Sequence, residues 1–392
     1  MTLSPTPLPT FPWDTLARAH ETAAAHPGGI IDLSIGTPVD SVPMIARKAL
    51  EAASDAPGYP PVVGSADLRE AIAGWVRRRR GAGELTPAGV LPTVGSKEAV
   101  ASLPAQLGVP AGGRVLFPDV AYPTYDVGAR LAGAEPVAVG SDPREWPAAD
   151  LVWLNSPGNP DGHVLSIEEL RRIREWARRA GAVVVSDECY AELSWEGRYA
   201  IDEEGRCPNT DARSLGAPSL LDDAVTDGDH EGLLVVYSAS KQSNLAGYRA
   251  SFVYGDSGLI ARLTLVRKHA GLMMPAPTQA ALTQVLNDDA HVAQQRERYR
   301  ARRNNLLAGA SVGGLANDPD SVAGLYLWLG HEDADNDWEL VDALARLGIL
   351  VAPASFYGER VRDRVRMSLT ASDEQIAEAA QRLAHFSLTR AR

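Results

Sequence analysis

Seven short runs constrain this chain more than any other feature: VLPTVG (90–95), RVLFPD (114–119), EPVAVG (135–140), DLVWLN (150–155), AVVVSD (182–187), LLVVYS (233–238) and ASFVYG (250–255). Several are apolar throughout instead of alternating, as strands covered on both faces must be. Helical stretches separate them. Ser166 and Glu169 stand at capping-box spacing, Leu170, Ile173, Trp176 and Ala177 mark an apolar stripe, and Gly181 ends it. An earlier helix starts near Ser65, buries Leu68, Ile72, Trp75 and Val76, and stops at Gly81. Strands joined by helical crossovers predict an α/β fold, with a large domain built on a mostly parallel seven-stranded sheet flanked by helices.

Beyond residue 275 the pattern changes. GLYLWLG (324–330), ILVAPA (349–354) and RVRMSL (364–369) alternate with helices near 337–348 and 373–386, which predicts a smaller α+β domain. The expected division is 46–287 for the large domain, with 1–45 and 288–392 together forming the small one. A long polar helix over roughly 288–309 carries QQRERYRARRNN, read as a solvated face. Residues 199–232 have no period and many turn formers, and read as a surface insertion.

Composition removes several function classes. Among 392 residues, 45% hydrophobic content supports a sizeable core and excludes disorder over most of the length. A net charge of −12 with no basic stripe argues against nucleic acid as a partner. Two cysteines, Cys189 and Cys207, exclude a disulfide framework and argue against a Cys-rich metal site. The first residues show no basic and apolar leader, and no run approaches the roughly 18 apolar residues of a membrane span. The expectation is a cytoplasmic protein with no membrane partner. Of 38 basic residues only Lys48, Lys97, Lys241 and Lys268 are lysines, so lysine chemistry has few places to sit.

In open α/β sheets ligands bind beyond the carboxyl ends of the strands, so those residues are the candidates. Gly95, Ser96 and Lys97 open a helix after the first run, a turn whose free N–H groups suit an anion. Tyr122 and Tyr125 follow the second run, Asn159 lies in the turn NSPGNPDG (155–162), and Asp187 and Tyr190 follow the fifth. Each of these alone is more ordinarily a cap, a turn or packing. The sixth run ends in YSASKQSNLAGYRASF, where Lys241 has hydroxyls at Ser238 and Ser240 and Arg249 eight residues on. Serines and an arginine around a scarce lysine suit a dianionic phosphate held beside an amine.

SASKQSNLAGYR, NSPGNPDG, VVVSDECY, the GSKE turn and LSIGTP (33–38), in that order-bound set, resemble the fold-type I pyridoxal-phosphate aminotransferases of the aspartate aminotransferase superfamily. FPWDTLARA, DLSIGTPVD, LPTVGSKEAV, AYPTYDVGARLAGA and VRKHAGLMMPAPTQAAL look nearer still to the actinobacterial succinyldiaminopimelate transaminases. The resemblance implies pyridoxal 5′-phosphate as cofactor, joined to Lys241. It implies that Asp187 pairs with the pyridine nitrogen, that Asn159 and Tyr190 hydrogen-bond the phenolic oxygen, and that Tyr122 stacks on the ring. Gly95, Ser96, Lys97, Ser238, Ser240 and Arg249 would hold the phosphate. Tyr59, in GYPPVVG, would reach a phosphate across a subunit boundary, which implies a homodimer with active sites at the interface. Arg366 would grip the substrate α-carboxylate, with Asn159 beside it and Gly36 closing over it. Arg364, two positions away, is the alternative. Ala239 and Ala354 depart from the residues common at those positions.

The implied reaction moves an amino group between N-succinyl-LL-2,6-diaminopimelate and 2-oxoglutarate. Alternatives are another amino acid (aspartate, alanine or unacylated diaminopimelate) or C–S lysis on the same cofactor, since the pocket decides which Cα bond aligns. A sensor reading is disfavoured, because a winged-helix module would precede such a domain and only about 30 residues precede LSIGTP. A substrate with several carboxylates needs further cations, for which Arg267, Lys268 and His269 are candidates.

Overall fold

The computed structural model describes residues 8–388. Its strands, in chain order, are β1 (Ile31–Asp32), β2 (Val90–Val94), β3 (Arg114–Pro118), β4 (Glu135–Val139), β5 (Leu151–Asn155), β6 (Val183–Asp187), β7 (Leu233–Ser238), β8 (Ala250–Gly255), β9 (Ala316–Asn317), β10 (Tyr326–Gly330), β11 (Ile349–Leu350), β12 (Ala352–Pro353) and β13 (Arg364–Ser368). The seven apolar runs become one sheet in the order β2-β8-β7-β6-β5-β3-β4. All its pairings are parallel except the two made by β8. Every residue of β7 and of β8 is buried, which is why those runs carry no alternation.

Helices cover both faces. On one, Leu68, Ile72, Trp75 and Val76 of the helix Ala66–Arg80 pack with Leu170, Ile173, Trp176 and Ala177 of Ile167–Ala180. Ser166 and Glu169 close the reciprocal cap, and Gly181 and Gly81 end the two helices in left-handed conformation. On the other face, Ala99, Val100, Leu103 and Leu107 of Ser96–Leu107 meet Leu259, Ile260 and Leu263. A second, antiparallel sheet runs β12-β13-β10-β9, while β1 pairs parallel with β11. The run at 349–354 is therefore divided, its halves serving different sheets.

Two sequence expectations are corrected. The arginine-rich helix, Asp289–Val312, is no solvated face: Arg296, Arg302 and Arg303 are at most 3% exposed. Arg302 binds Asp40 and Asp373, and Arg303 binds Glu196, acids far off in sequence. Burial of charge is tolerated because each charge has a partner. The 199–232 segment is not merely a surface insertion either. Ala217, Ser219, Leu220, Leu221 and Asp222 are fully buried. The carbonyls of Leu215 and Ala217 accept from Arg80, while Ser219 Oγ and Leu220 N donate to Glu188.

Candidate active site

Topology gathers the site. Neighbouring parallel strands β5, β6 and β7 end together, so Asn155 faces Asp187 in register and Ser238 ends on the same rim. Antiparallel β8 starts where those strands finish, with Ala250 opposite Val94 and Ser251 opposite Ser238. Arg249 is thereby delivered to the rim that carries Gly95 and Ser238. The other wall comes from the second sheet, where Arg366 of β13 sits opposite Trp328 of β10. The segment after β1 brings Gly36 over the opening.

These elements enclose a cavity of about 340 Å³. Among its lining are Gly36, Ser96, Lys97, Tyr122, Asn159, Asp187, Tyr190, Ser238, Ser240, Lys241, Arg249 and Arg366. Gly95 stands just behind it, at φ +101°, where a Cβ would come within 2.0 Å of the Arg249 guanidinium. Only glycine allows that approach. Tyr59 is not part of the cavity; it is 96% exposed on the surface. Arg364 does not compete with Arg366, because it is spent on an ion pair with Asp318 at 3.1 Å. Arg267 is likewise removed from candidacy: it is buried in a two-pronged pair with Glu98, at 2.9 and 3.0 Å. Lys268 and His269 are exposed and do not line the cavity.

The charges within are unbalanced. Asp187 is the single acid of the lining, against Lys97, Lys241, Arg249 and Arg366. Asp187 is 7% exposed and accepts only neutral donors, Tyr125 Oη at 3.1 Å and the Cys189 N–H at 3.1 Å. Burial pushes its carboxyl above the ordinary range. Arg366, 2% exposed, donates to Asn159 Oδ1 (2.9 Å) and the Ser34 carbonyl (2.5 Å), while its Nε has no partner among the described residues. Asn159 is held in turn by Asn155, whose Oδ1 accepts its N–H at 2.8 Å. Lys241 donates to the Gly36 carbonyl. Burial lowers its pKa, and Arg366 and Arg249 push the same way. The helix at Ser96 has no side-chain cap, so its first N–H groups face the rim unclaimed. Burial raises Tyr122 to about 12, which keeps that ring neutral.

Sequence reasoning passed over several cavity residues, three of which touch Arg366 or Asp187. Trp13 donates to the Ser34 carbonyl at 3.3 Å and lies 5.7 Å from the Arg366 guanidinium. Cys189 sits beside Asp187 with its thiol pushed up by burial. Tyr326 stacks on Arg366 at 3.9 Å. Strand period was the available signal for the last: Tyr326 and Trp328 share the face that Arg366 occupies one strand over.

The model of the family "aminotransferase class I and II" matches residues 29–383. The chain belongs to that family. It is 50% identical over 382 residues to the 4-dedimethylamino-4-oxo-anhydrotetracycline transaminase OxyQ of Streptomyces rimosus, covering 96% of this chain and 99% of that one. A probable aminotransferase of Mycobacterium tuberculosis is 50% identical over 380 residues, covering 96% and 85%. Among solved structures, a probable N-succinyldiaminopimelate aminotransferase from Thermus thermophilus superposes with a TM-score of 0.81 at 28% identity, covering 96% and 100%. Aminotransferases of this class work with pyridoxal 5′-phosphate on amino and oxo acids, and this chain is a PLP-dependent aminotransferase. Its residues fit the cofactor. Asp187 is a buried carboxylate lacking a cation, the uncapped helix and Arg249 suit a phosphate, and Lys241 lies between them with its ammonium disfavoured by burial.

Proposed function

We propose that this aminotransferase moves an amino group between N-succinyl-LL-2,6-diaminopimelate and 2-oxoglutarate. The carrying observation is that Arg366 and Lys97 both enter one cavity with Lys241, and neither has a carboxylate partner among the described residues. A substrate with an α-carboxylate and a second, distal one fits that pair. Arg366 offers a guanidinium fork to the first and so fixes orientation as well as affinity. Lys97 Nζ, 5.4 Å from the Phe11 ring centroid, is the free cation for the second.

Bound pyridoxal phosphate supplies an electron sink for the pair left at the substrate Cα. The chain's residues do the rest in this reading. Lys241 Nζ, its ammonium disfavoured by burial, would be the base that takes the Cα proton and later gives it back. Asp187 would hold a proton on the pyridine nitrogen, an opposite charge in contact being worth about 1–3 pKa units. Asn159 and Tyr190 would bind the phenolic oxygen, and Tyr122 would cover the ring. Ser96, Lys97, Ser238, Ser240 and Arg249 bind the phosphate, the first two through backbone N–H groups. Gly36 closes over the substrate carboxylate. Tyr59, exposed here, serves the site of a second copy, which makes the active unit a homodimer. The division of the chain at 46–287 goes with this reading.

A second acceptor class is favoured by the likeness to the Streptomyces rimosus transaminase: a 4-oxo-anhydrotetracycline-type ketone. A glutamate-coupled assay separates the readings, offering succinylated, acetylated and free diaminopimelate-type oxo acids beside that ketone. Fastest turnover of the succinylated acceptor supports the first reading. A preference for the ketone, or pyruvate release from cystathionine, overturns it.

A further inference from the structure

Tyr326 has no role in the reaction as read so far, yet it touches three residues that have one: Arg366, Tyr190 and Gly36. Its ring lies 3.9 Å from the Arg366 guanidinium carbon. Its hydroxyl is 3.3 Å from that of Tyr190. A Cβ added at Gly36 would come within 2.2 Å of the same hydroxyl, so the Gly36 backbone closes the remaining side. The ring of Tyr190 meets it edge-on at 5.8 Å, and the residue is 4% exposed. A hydroxyl confined in this way has few orientations to choose from.

Geometry alone leaves open which of the two tyrosines donates. Their surroundings decide it. Tyr326 has the Arg366 guanidinium against its ring face, with Lys241 and Asp187 acting on it in opposite senses, whereas Tyr190 faces the carboxylate of Asp187 and the thiol of Cys189. The remaining titratable neighbours, Tyr122 and Tyr357, are neutral phenols held up by burial. Burial would raise Tyr326 on its own, but Arg366 and Lys241 outweigh it and pull it below the ordinary tyrosine range. For Tyr190 burial, Tyr326 and Asp187 all push upward. The more acidic hydroxyl donates and the less acidic one accepts.

We propose that Tyr326 is a positioning residue of this site: by donating to the Tyr190 hydroxyl it leaves Tyr190's own proton free to point into the cavity. Tyr190 then presents one hydrogen to whatever oxygen lies before it, here the phenolic oxygen of the cofactor, and a donor that is itself donated to is a stronger donor. The same ring keeps Arg366 flat, so one residue couples the carboxylate grip to the cofactor's protonation. The inference rests on the cofactor reading above.

Tyr326→Phe keeps the ring and removes only the hydroxyl. Its readout is the pH midpoint of the bound cofactor's visible absorbance in the holoenzyme, which an altered fold or a lost substrate contact would not move in this direction. With Tyr190 a weaker donor, the phenolic oxygen is less well held as an anion, and the midpoint rises by roughly half a pH unit. In a Tyr190→Phe background the same change moves nothing further, because the path runs through that hydroxyl. An unchanged midpoint in Tyr326→Phe, or an equal shift in both backgrounds, overturns the proposal. So does a variant whose KM for the amino donor alone changes, which makes Tyr326 a substrate contact. If the wild-type chain develops no visible absorbance with pyridoxal phosphate, the cofactor reading fails first and this proposal goes with it.

Discussion

Two buried arginines divide this molecule. Arg80, fully buried, gives Nε and Nη2 to Glu188 and its remaining reach to the carbonyls of Leu215 and Ala217. Glu188 is saturated in return by Ser219, Leu220 and Tyr254. Arg366 is as deeply placed but has aromatic faces where Arg80 has a carboxylate, and one N–H without a partner. The contrast repeats along the chain, since Asp187 is left without a cation while its neighbour Glu188 has one. A satisfied ion pair fixes a fold, whereas an unsatisfied one marks where a ligand must complete it. Substitutions on the two sides should therefore fail differently.

The largest effect falls on the open side. Lys241→Ala removes the amine that carries the proton, and turnover should drop roughly ten-thousand-fold or more, with loss of the cofactor's visible band. Stopped-flow absorbance with glutamate checks this. Asp187→Ala should retain cofactor yet lose about a hundred- to a thousand-fold in rate, as the pyridine proton is no longer held. Arg80→Leu breaks the closed pair and strands Glu188. It should cost about 3–5 kcal/mol in denaturant unfolding. Arg366→Ala should scarcely move unfolding but weaken kcat/KM for amino acids by roughly a hundredfold, a loss carried by KM. If instead Arg366→Ala unfolds the protein and Arg80→Leu does not, the division between the two arginines is wrong.

The smallest effect concerns pH. Asp187 has a raised pKa in the cofactor-free protein, so the folded chain binds more protons than the unfolded one between the ordinary carboxylate range and that raised value. Stability then falls as pH rises through this window. Asp187→Asn should abolish that slope and leave the apoprotein modestly more heat-resistant above it. Thermal melts of apoprotein across the window measure it.

Much of this was legible in the sequence because the strands announce themselves. Apolar runs with helical caps between them place Asp187, Ser238 and Gly95 at strand ends, and strand ends meet. What one sequence cannot display is pairing between distant charges. Arg302 and Arg303 look like solvent residues until Asp40, Asp373 and Glu196 arrive from three other segments. The 199–232 segment has no period because it is held by carbonyls and hydroxyls around Arg80 and Glu188, not by an apolar face. Arg267 sits beside Lys268 and His269 in sequence, yet only the fold shows it turned to Glu98. Tyr326 was hidden for a milder reason: inside GLYLWLG a tyrosine reads as strand packing.

The central claim is that one amine, Lys241 Nζ, carries the cofactor. Four lysines occur in the chain, at positions 48, 97, 241 and 268, so the claim can be read by mass. Borohydride reduction of the holoenzyme followed by peptide mapping should place the pyridoxyl adduct on Lys241. An adduct on any of the other three, or none on a protein that turns over, would contradict the account.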